Sequence, residues 1–242
     1  MQMIRSTLFV GQIYVAMLVL GIVFAPYAIV SRNGAYAACK TYCKWVFWTM
    51  GWMVGIKGEV RGDVPEGEVL IASKHQSFLD IMLIFHALPA AKFIMKRELL
   101  YAPIIGIYAK RLGCVPVARG KRGAAIAKMV RDVEAGRAHP GQLIIYSQGT
   151  RVAPGVKAPY KVGTAVLYDQ LGQPCVPVAT NVGLFWPRKG IRRTPGTAVV
   201  EFLQVMPDGM DRDTFLSQLE QTVEARSNAL MREGGFDPDG VH

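Results

Sequence analysis

One stretch, IASKHQSFLDIM at residues 71–82, indicates both the fold and the chemistry of this chain. The apolar run 69–73 predicts a strand, and the apolar run 78–88 beyond a short polar turn predicts a helix. His75 leaves the strand and Asp80 follows five residues later, so we expect the two side chains to meet across the turn. A carboxylate holds an imidazole in one tautomer, and the other ring nitrogen can then accept a proton near neutral pH. The stretch therefore predicts a general base.

The same residues allow a purely structural interpretation. Ser77-x-x-Asp80 is a capping box, with Ser77 as the N-cap of the helix and Asp80 three positions later. A helix benefits from such a cap without any chemistry. This interpretation explains Ser77 and Asp80 but leaves His75 unexplained.

Composition points to a lipid surface. The 242 residues suit one domain with an appendage, and the chain is 51% hydrophobic with a formal net charge of +10. An apolar and basic chain suits an anionic membrane surface. The basic residues are scattered and no nucleic-acid motif is present, so we expect no nucleic-acid partner. The predicted partner is a phosphate-bearing lipid or cofactor.

The four cysteines form no C-x-x-C pair and accompany no histidine cluster. We therefore expect neither a zinc site nor a disulfide framework. A chain without disulfides suits the cytosolic side of a membrane.

The N-terminal region predicts two membrane-seeking segments. Residues 7–30 lie in a stretch without charge and are apolar enough to span a bilayer, with Pro26 expected to break or kink the helix near its end. Residues 31–34, with the sequence SRNG, predict a turn. The length of the apolar run argues against a cleaved signal peptide.

The second segment, residues 35–56, mixes aromatic side chains with Lys40 and Lys44, a pattern typical of the headgroup level. Two arrangements fit: one helix spans while the second lies on the surface, or both form a hairpin within one leaflet. Arg32, Lys40 and Lys44 favour a cytoplasmic position for the rest of the chain.

Beyond this region, short apolar runs alternate with helix-length segments. Strands are predicted at residues 55–60, 69–73, 92–95, 113–117, 142–146, 175–178 and 196–202. Helices are predicted at residues 78–88, 104–110, 120–135, 163–171 and 212–231. The pattern predicts an α/β fold, with an active surface where strands end and loops begin.

Four blocks occur in order after the apolar N-terminus: His75-x4-Asp80, GCVPVAR at 113–119, SQGTR at 147–151 and VPVA at 176–179. In these blocks the sequence resembles the glycerolipid acyltransferase family, in particular the bacterial 1-acylglycerol-3-phosphate acyltransferases, over about residues 55–205. The resemblance implies a mixed, mostly parallel sheet flanked by helices and preceded by a membrane-inserted helical pair. It divides the chain into membrane-associating segments at 1–56 and an acyltransferase domain at 57–242.

The resemblance also implies an activity: transfer of a fatty acyl group from acyl-ACP or acyl-CoA to the sn-2 hydroxyl of lysophosphatidic acid, giving phosphatidic acid. His75 would be the general base and Asp80 would orient it, with no metal or other cofactor. We expect backbone N–H groups near Ser77 or Gly149 to stabilise the oxyanion. The expected location is the bacterial inner membrane, with the catalytic domain on the cytoplasmic side.

Substrate-binding residues follow from the same blocks. The resemblance places Arg119 at the acceptor phosphate and makes Arg151 a second candidate, because a guanidinium can donate two hydrogen bonds to a phosphate. Lys161 is similar to a basic position after the third block. Each of the three would otherwise be a solvated surface side chain.

The third block departs from the family pattern, since Ser147 and Gln148 replace the usual Pro and Glu. We expect Gln148, Gly149 and Thr150 to contact the acceptor, with Gly149 in a tight turn. The loss of the carboxylate keeps another acceptor, such as a lyso-ornithine lipid, open. The sequence also leaves open a metal-dependent hydrolase and a non-catalytic membrane module.

Overall fold

The computed structural model describes residues 1–118, 122–135 and 140–240. Its strands are β1 Ile56–Arg61, β2 Leu70–Ser73, β3 Lys92–Lys96, β4 Val115–Val117, β5 Leu143–Tyr146, β6 Cys175–Thr180 and β7 Gly196–Phe202. Its α-helices are α1 Gln2–Val23, α2 Ala25–Val30, α3 Arg32–Val54, α4 Leu79–Ala87, α5 Pro103–Leu112, α6 Arg122–Ala135, α7 Val162–Leu171 and α8 Arg212–Glu233. Short 3-10 helices occupy Arg97–Tyr101 and Val182–Leu184.

The seven strands of the described residues form one sheet in the order β1-β7-β6-β2-β5-β3-β4. All neighbours are parallel except β6 and β7, which are antiparallel. The prediction of an α/β fold with a mixed, mostly parallel sheet is confirmed.

Central strand β2 is buried on both faces, as expected for a strand between parallel neighbours. Ile71 packs into a core shared with α3 and α4, whereas Leu70 and Ala72 pack into a second core with α7 and α8. This alternation follows from the two-residue period of a strand. The sheet therefore fixes the direction in which the chain leaves β2 at Ser73.

The carboxyl ends of β2, β5 and β3 lie at the same edge of the sheet, because these strands are parallel neighbours. His75 follows β2, and the block 147–151 follows β5. Loops at the carboxyl ends of parallel strands are the usual place for a site in α/β folds. The topology thus brings two of the predicted blocks together.

The first apolar segment differs in detail from the prediction. Its helix already begins at Gln2, and the break falls at Phe24, where α1 ends and α2 begins with Pro26 in its first turn. Proline is tolerated there because its missing N–H has no helical partner at that position.

The predicted turn at 31–34 is wrong for three of its four residues. Only Ser31 is extended, and its Oγ accepts a hydrogen bond from the Asn33 N–H as the N-cap of α3. Gly34 lies inside α3, where a Cβ would come within 2.5 Å of the Tyr27 carbonyl. The glycine thus serves close packing of α2 on α3.

Two predicted strands begin too early, at Gly55 and Gly113. Both glycines have left-handed backbone conformations, with φ of 74° and 78°, and they end α3 and α5 respectively. The strands therefore start only at Ile56 and Val115.

Helix α1 is the one helix among the described residues that is long and apolar enough to cross a membrane. Its inner face packs on α3, where Gln12 hydrogen-bonds to Thr49 and to the Trp45 indole. Its outer face exposes a stripe of apolar side chains, namely Ile4, Leu8, Val15, Leu18, Val19 and Ile22. This exposed apolar face indicates association with a membrane.

Candidate active site

His75 and Asp80 meet as the sequence predicts. The His75 Nδ1 atom lies 2.8 Å from Asp80 Oδ1, and the Asp80 side chain is fully buried while 12% of the His75 side chain is exposed. The carboxylate accepts the Nδ1 proton, so Nε2 is the ring nitrogen that can take a proton from a substrate. The arrangement is that of an oriented general base.

The second Asp80 oxygen holds the turn that precedes the helix. Asp80 Oδ2 accepts hydrogen bonds from the backbone N–H groups of Gln76 and Ser77, both at 2.8 Å. Ser77 Oγ accepts a hydrogen bond from the Leu79 N–H, and α4 begins at Leu79, one residue later than predicted. The predicted N-cap at Ser77 is therefore wrong by one residue, since Phe78 is the N-cap and no side chain among the described residues caps the helix. The two Asp80 oxygens instead hold the His75 ring and the turn before α4.

Two individual N–H groups are already occupied among those expected to serve as oxyanion donors. The Ser77 N–H is occupied by Asp80, and the Gly149 N–H donates to the Tyr146 carbonyl at 2.8 Å. The expectation of donors near Ser77 or Gly149 therefore stays a prediction for the neighbouring N–H groups.

The block after β5 lies beside His75. The Val152 N–H donates to the His75 carbonyl at 2.8 Å, which joins the two loops directly. Gly149 has φ of 68°, a left-handed conformation that agrees with the predicted tight turn. Thr150 is partly exposed in the same turn.

Gln148 is buried, and its amide bonds to the loop beyond the block. Its Nε2 donates to the Ala158 carbonyl at 3.1 Å, while its Oε1 has no hydrogen-bond partner among the described residues. The side chain therefore braces the loop 147–161 and does not orient Arg151.

Arg151 lines a cavity of about 460 Å³ together with Arg188 and Lys189. The Arg188 guanidinium donates to the Arg151 carbonyl at 2.8 Å, which ties the two segments together. The other walls are apolar, formed by Val152, Ala153, Pro154, Val156, Ala158 and Pro187. A basic edge over an apolar wall suits an anionic amphiphile.

The two other basic candidates are less defined. Lys161 is exposed, and its backbone N–H donates to the Ser147 carbonyl at 2.8 Å, so its side chain extends from the same loop. Arg119 lies outside the described residues; the described chain leaves β4 at Val117.

Two contacts of the site were not anticipated from the sequence. The Tyr146 ring stacks on the His75 imidazole with 3.8 Å between ring centroids. The Lys74 side chain is only 2% exposed, and its Nζ lies 2.5 Å from Glu224 Oε2, a carboxylate that also accepts from the Tyr160 hydroxyl at 3.1 Å. An aromatic residue at the end of the strand beside β2 could have indicated the first contact. No local signal indicates the second, since Lys74 and Glu224 are 150 positions apart.

Comparison with known proteins places this site in a family. The Acyltransferase family model matches residues 56–181. The 1-acyl-sn-glycerol-3-phosphate acyltransferase of Pseudomonas aeruginosa is 28% identical over 196 residues, which covers 80% of this chain and 76% of that protein. The human 1-acyl-sn-glycerol-3-phosphate acyltransferase alpha is 30% identical over 168 residues, which covers 67% of this chain but only 59% of the human protein.

The fold has a solved counterpart as well. The crystal structure of the 1-acyl-sn-glycerophosphate (LPA) acyltransferase PlsC from Thermotoga maritima matches with a TM-score of 0.77 at 19% identity, covering 95% of this chain and 99% of that one. The family match at 56–181 includes His75, Asp80 and the block 147–151, and it takes in more than half of the 242 residues. The chain belongs to the Acyltransferase family.

Proposed function

We propose that this protein transfers a fatty acyl group from an acyl thioester to the sn-2 hydroxyl of 1-acylglycerol-3-phosphate, forming phosphatidic acid. The observation that carries the proposal is the 2.8 Å contact between His75 Nδ1 and buried Asp80 Oδ1 at the carboxyl edge of the sheet. The names of the bacterial and human relatives support this choice of acceptor.

The chemistry requires one proton to move twice. His75 Nε2 removes the proton of the acceptor hydroxyl as its oxygen attacks the thioester carbonyl, and Asp80 stabilises the imidazolium that forms. The tetrahedral intermediate then expels the thiolate, which takes the proton from the imidazolium. The products are the new ester and a free thiol. General-base help of this kind contributes roughly 10²–10⁴-fold to the rate.

The acceptor phosphate is assigned to the basic edge of the cavity at Arg151. Arg151 supplies a guanidinium and the apolar walls suit the acyl chain of a lysolipid. We assign Arg119 to the same phosphate and Lys161 to the adjoining basic surface. The turn at Gln148, Gly149 and Thr150 holds Arg151 beside the loop of His75.

The remaining assignments concern the donor and the surroundings. Acyl-ACP and acyl-CoA both supply the thioester, and no metal or redox cofactor enters the reaction as written. We assign residues 57–242 to the acyltransferase domain and residues 1–56 to membrane association. Arg32, Lys40 and Lys44 favour the cytoplasmic side of a bacterial inner membrane.

Both ends of α1 are attached to the same globular domain, which bears on the two membrane arrangements. Near its start, the Gln2 amide donates to the Val54 and Arg193 carbonyls, at 3.1 and 3.0 Å. Near its end, the Gly21 carbonyl accepts from the Tyr108 hydroxyl at 2.9 Å. A helix that crossed the bilayer would separate its two ends by the hydrocarbon core. We therefore favour a hairpin of α1 and α3 within one leaflet, with the exposed apolar stripe of α1 towards lipid.

The decisive experiment is an acceptor panel. Purified protein in vesicles is given labelled acyl-CoA or acyl-ACP with lysophosphatidic acid, lyso-ornithine lipid or lysophosphatidylcholine. We expect chelator-resistant formation of phosphatidic acid that exceeds the other products. A preference for lyso-ornithine lipid would transfer the proposal to that acceptor. Chelator-sensitive release of fatty acid would favour a hydrolase, and binding without turnover a non-catalytic module.

A further inference from the structure

Tyr146 places an aromatic ring directly against the proposed general base. It is the last residue of β5 and pairs in register with Ser73, two positions before His75. The two rings are stacked, with 3.8 Å between centroids and 17° between planes. Adjacent parallel strands thus deliver the base and the ring to the same edge of the sheet.

The Tyr146 ring is itself held in place. Phe93 on neighbouring strand β3 lies nearly parallel to it, with 6.2 Å between centroids and 17° between planes. Phe85 of α4 stacks in turn on Phe93 at 6.3 Å. These aromatic neighbours therefore support the ring that lies against His75.

The tyrosine hydroxyl is buried and stays protonated. It has no hydrogen-bond partner among the described residues, since Asp80 lies close to it but outside the geometry of a formed bond. Burial and the charge of Asp80 raise the pKa of Tyr146 well above its usual range. The ring therefore presents a neutral π-face to His75 throughout the neutral pH range.

Stacking favours the charged form of the imidazole. The face of an aromatic ring is negative, so it attracts a cation above it more than it attracts a neutral ring. Asp80 of α4 acts in the plane of the imidazole through Nδ1, whereas Tyr146 of β5 acts on its face. The stacking contact with Tyr146 becomes stronger only when His75 has taken the proton. An interaction that is stronger in the transition state than in the ground state lowers the reaction barrier.

We propose that Tyr146 is a positioning residue of the acyl transfer, whose ring fixes the plane of the His75 imidazole and stabilises the imidazolium while the thioester is broken. The inference rests on the proposed function and assigns a role to a residue outside the His75-Asp80 pair and outside the basic cavity.

The test compares Tyr146→Leu, which removes the ring, with Tyr146→Phe, which removes only the hydroxyl. For Tyr146→Leu we expect kcat to fall about tenfold, KM for lysophosphatidic acid to change less than about twofold, and the acid limb of the pH profile to move down by about half a unit. For Tyr146→Phe we expect kcat within about threefold of the native value and an unmoved acid limb.

Tyr168→Leu is the matched control, because Tyr168 stacks on Phe215 with 3.9 Å between centroids in the core between α7 and α8. It removes an equally close stack away from the site, so we expect lower thermal stability with an unmoved acid limb. The same outcome for Tyr146→Leu would reduce its role to packing and overturn the inference. Equal losses for Tyr146→Leu and Tyr146→Phe would also overturn it, since the hydroxyl would then be the active group.

A second readout does not need turnover. The Cε1 proton of His75, assigned by its disappearance in His75→Ala, should show a ring-current shift that Tyr146→Phe keeps and Tyr146→Leu loses. A ring-current shift that Tyr146→Leu leaves unchanged would overturn the inference. Absence of transfer to every lysolipid by the native protein would instead overturn the proposed function, and the ring-current shift would still report on the contact between the two rings.

Discussion

At the scale of single residues, the site depends on one carboxylate with two tasks. Asp80 holds the His75 ring with one oxygen and the turn before α4 with the other. The two hydrogen bonds from the turn fix Asp80 before any substrate arrives, so the imidazole is oriented in advance. Preorganised groups of this kind stabilise a transition state without having to reorganise during the reaction.

The buried Lys74–Glu224 ion pair predicts that removing one partner lowers stability more than removing both. Glu224→Gln leaves the Lys74 ammonium buried without its counter-charge, and we expect the unfolding free energy to fall by about 3–5 kcal/mol. Adding Lys74→Met removes the stranded charge and should restore most of that loss. Denaturant unfolding in detergent measures both variants.

Asp169→Asn is the control for this pair, because it breaks the Arg212–Asp169 ion pair, in which both side chains are 46% exposed. An exposed pair should cost at most about 1 kcal/mol. A double variant less stable than Glu224→Gln alone would contradict the account of Lys74 as a stranded charge.

His86 predicts a pH dependence of stability. It faces Phe47, and burial together with the charges of Lys40 and Lys44 lowers its pKa in the folded protein. As the pH drops below about 6.5, His86 becomes protonated in the unfolded chain before it does so in the folded protein. The free energy of unfolding therefore decreases as the pH drops, until His86 is protonated in the folded protein as well. Thermal unfolding should show a smaller loss between pH 7.5 and 5 for His86→Gln than for the native protein, as the same linkage requires. Parallel curves would contradict this interpretation.

At the scale of elements, two glycines of α3 give a matched comparison. A Cβ on Gly34 would meet the Tyr27 backbone, whereas a Cβ on Gly51 would meet nothing within 4 Å. We expect Gly34→Ala to lower the unfolding free energy by about 1–3 kcal/mol through overpacking of α2. Gly51→Ala should raise it by up to about 1 kcal/mol through helix propensity. Thermal unfolding that ranks the two variants in the opposite order would contradict the packing.

At this scale, local features of the fold could be predicted from the sequence and long-range pairings could not. Alternating apolar runs predicted each strand to within a few residues, because periodicity and glycine caps are local features. The pairing of β1 with β7 could not be predicted, since it joins Ile56 to Gly196 across the chain. The same holds for Glu224, whose partner Lys74 is defined only by the folded sheet. His75 and Asp80 were predictable because one turn contains both.

At the scale of the whole molecule, α8 supports the sheet from outside the matched family region of 56–181. Its Ser227 Oγ accepts a hydrogen bond from the Thr180 N–H, and its Leu230 carbonyl accepts from the Asn181 amide. With the Glu224 contact, α8 thus braces the ends of both β2 and β6.

The attachment of α1 at both ends predicts a one-sided membrane topology. Single cysteines introduced at exposed Met3 and at Gly240, in a background without the native cysteines, should both react with an impermeant reagent added to one side of sealed vesicles. The indoles exposed along α3, at Trp45, Trp48 and Trp52, should be quenched by lipids brominated near the headgroup. Protection of only one cysteine would instead indicate that α1 spans.

The central claim is that His75 takes the proton of the acceptor hydroxyl, and the rate of acyl transfer to lysophosphatidic acid by His75→Ala tests it most directly. We predict a fall in kcat of roughly 10²–10⁴-fold, with unchanged vesicle binding and thermal stability. A His75→Ala variant that still forms phosphatidic acid within about threefold of the native rate would contradict the account.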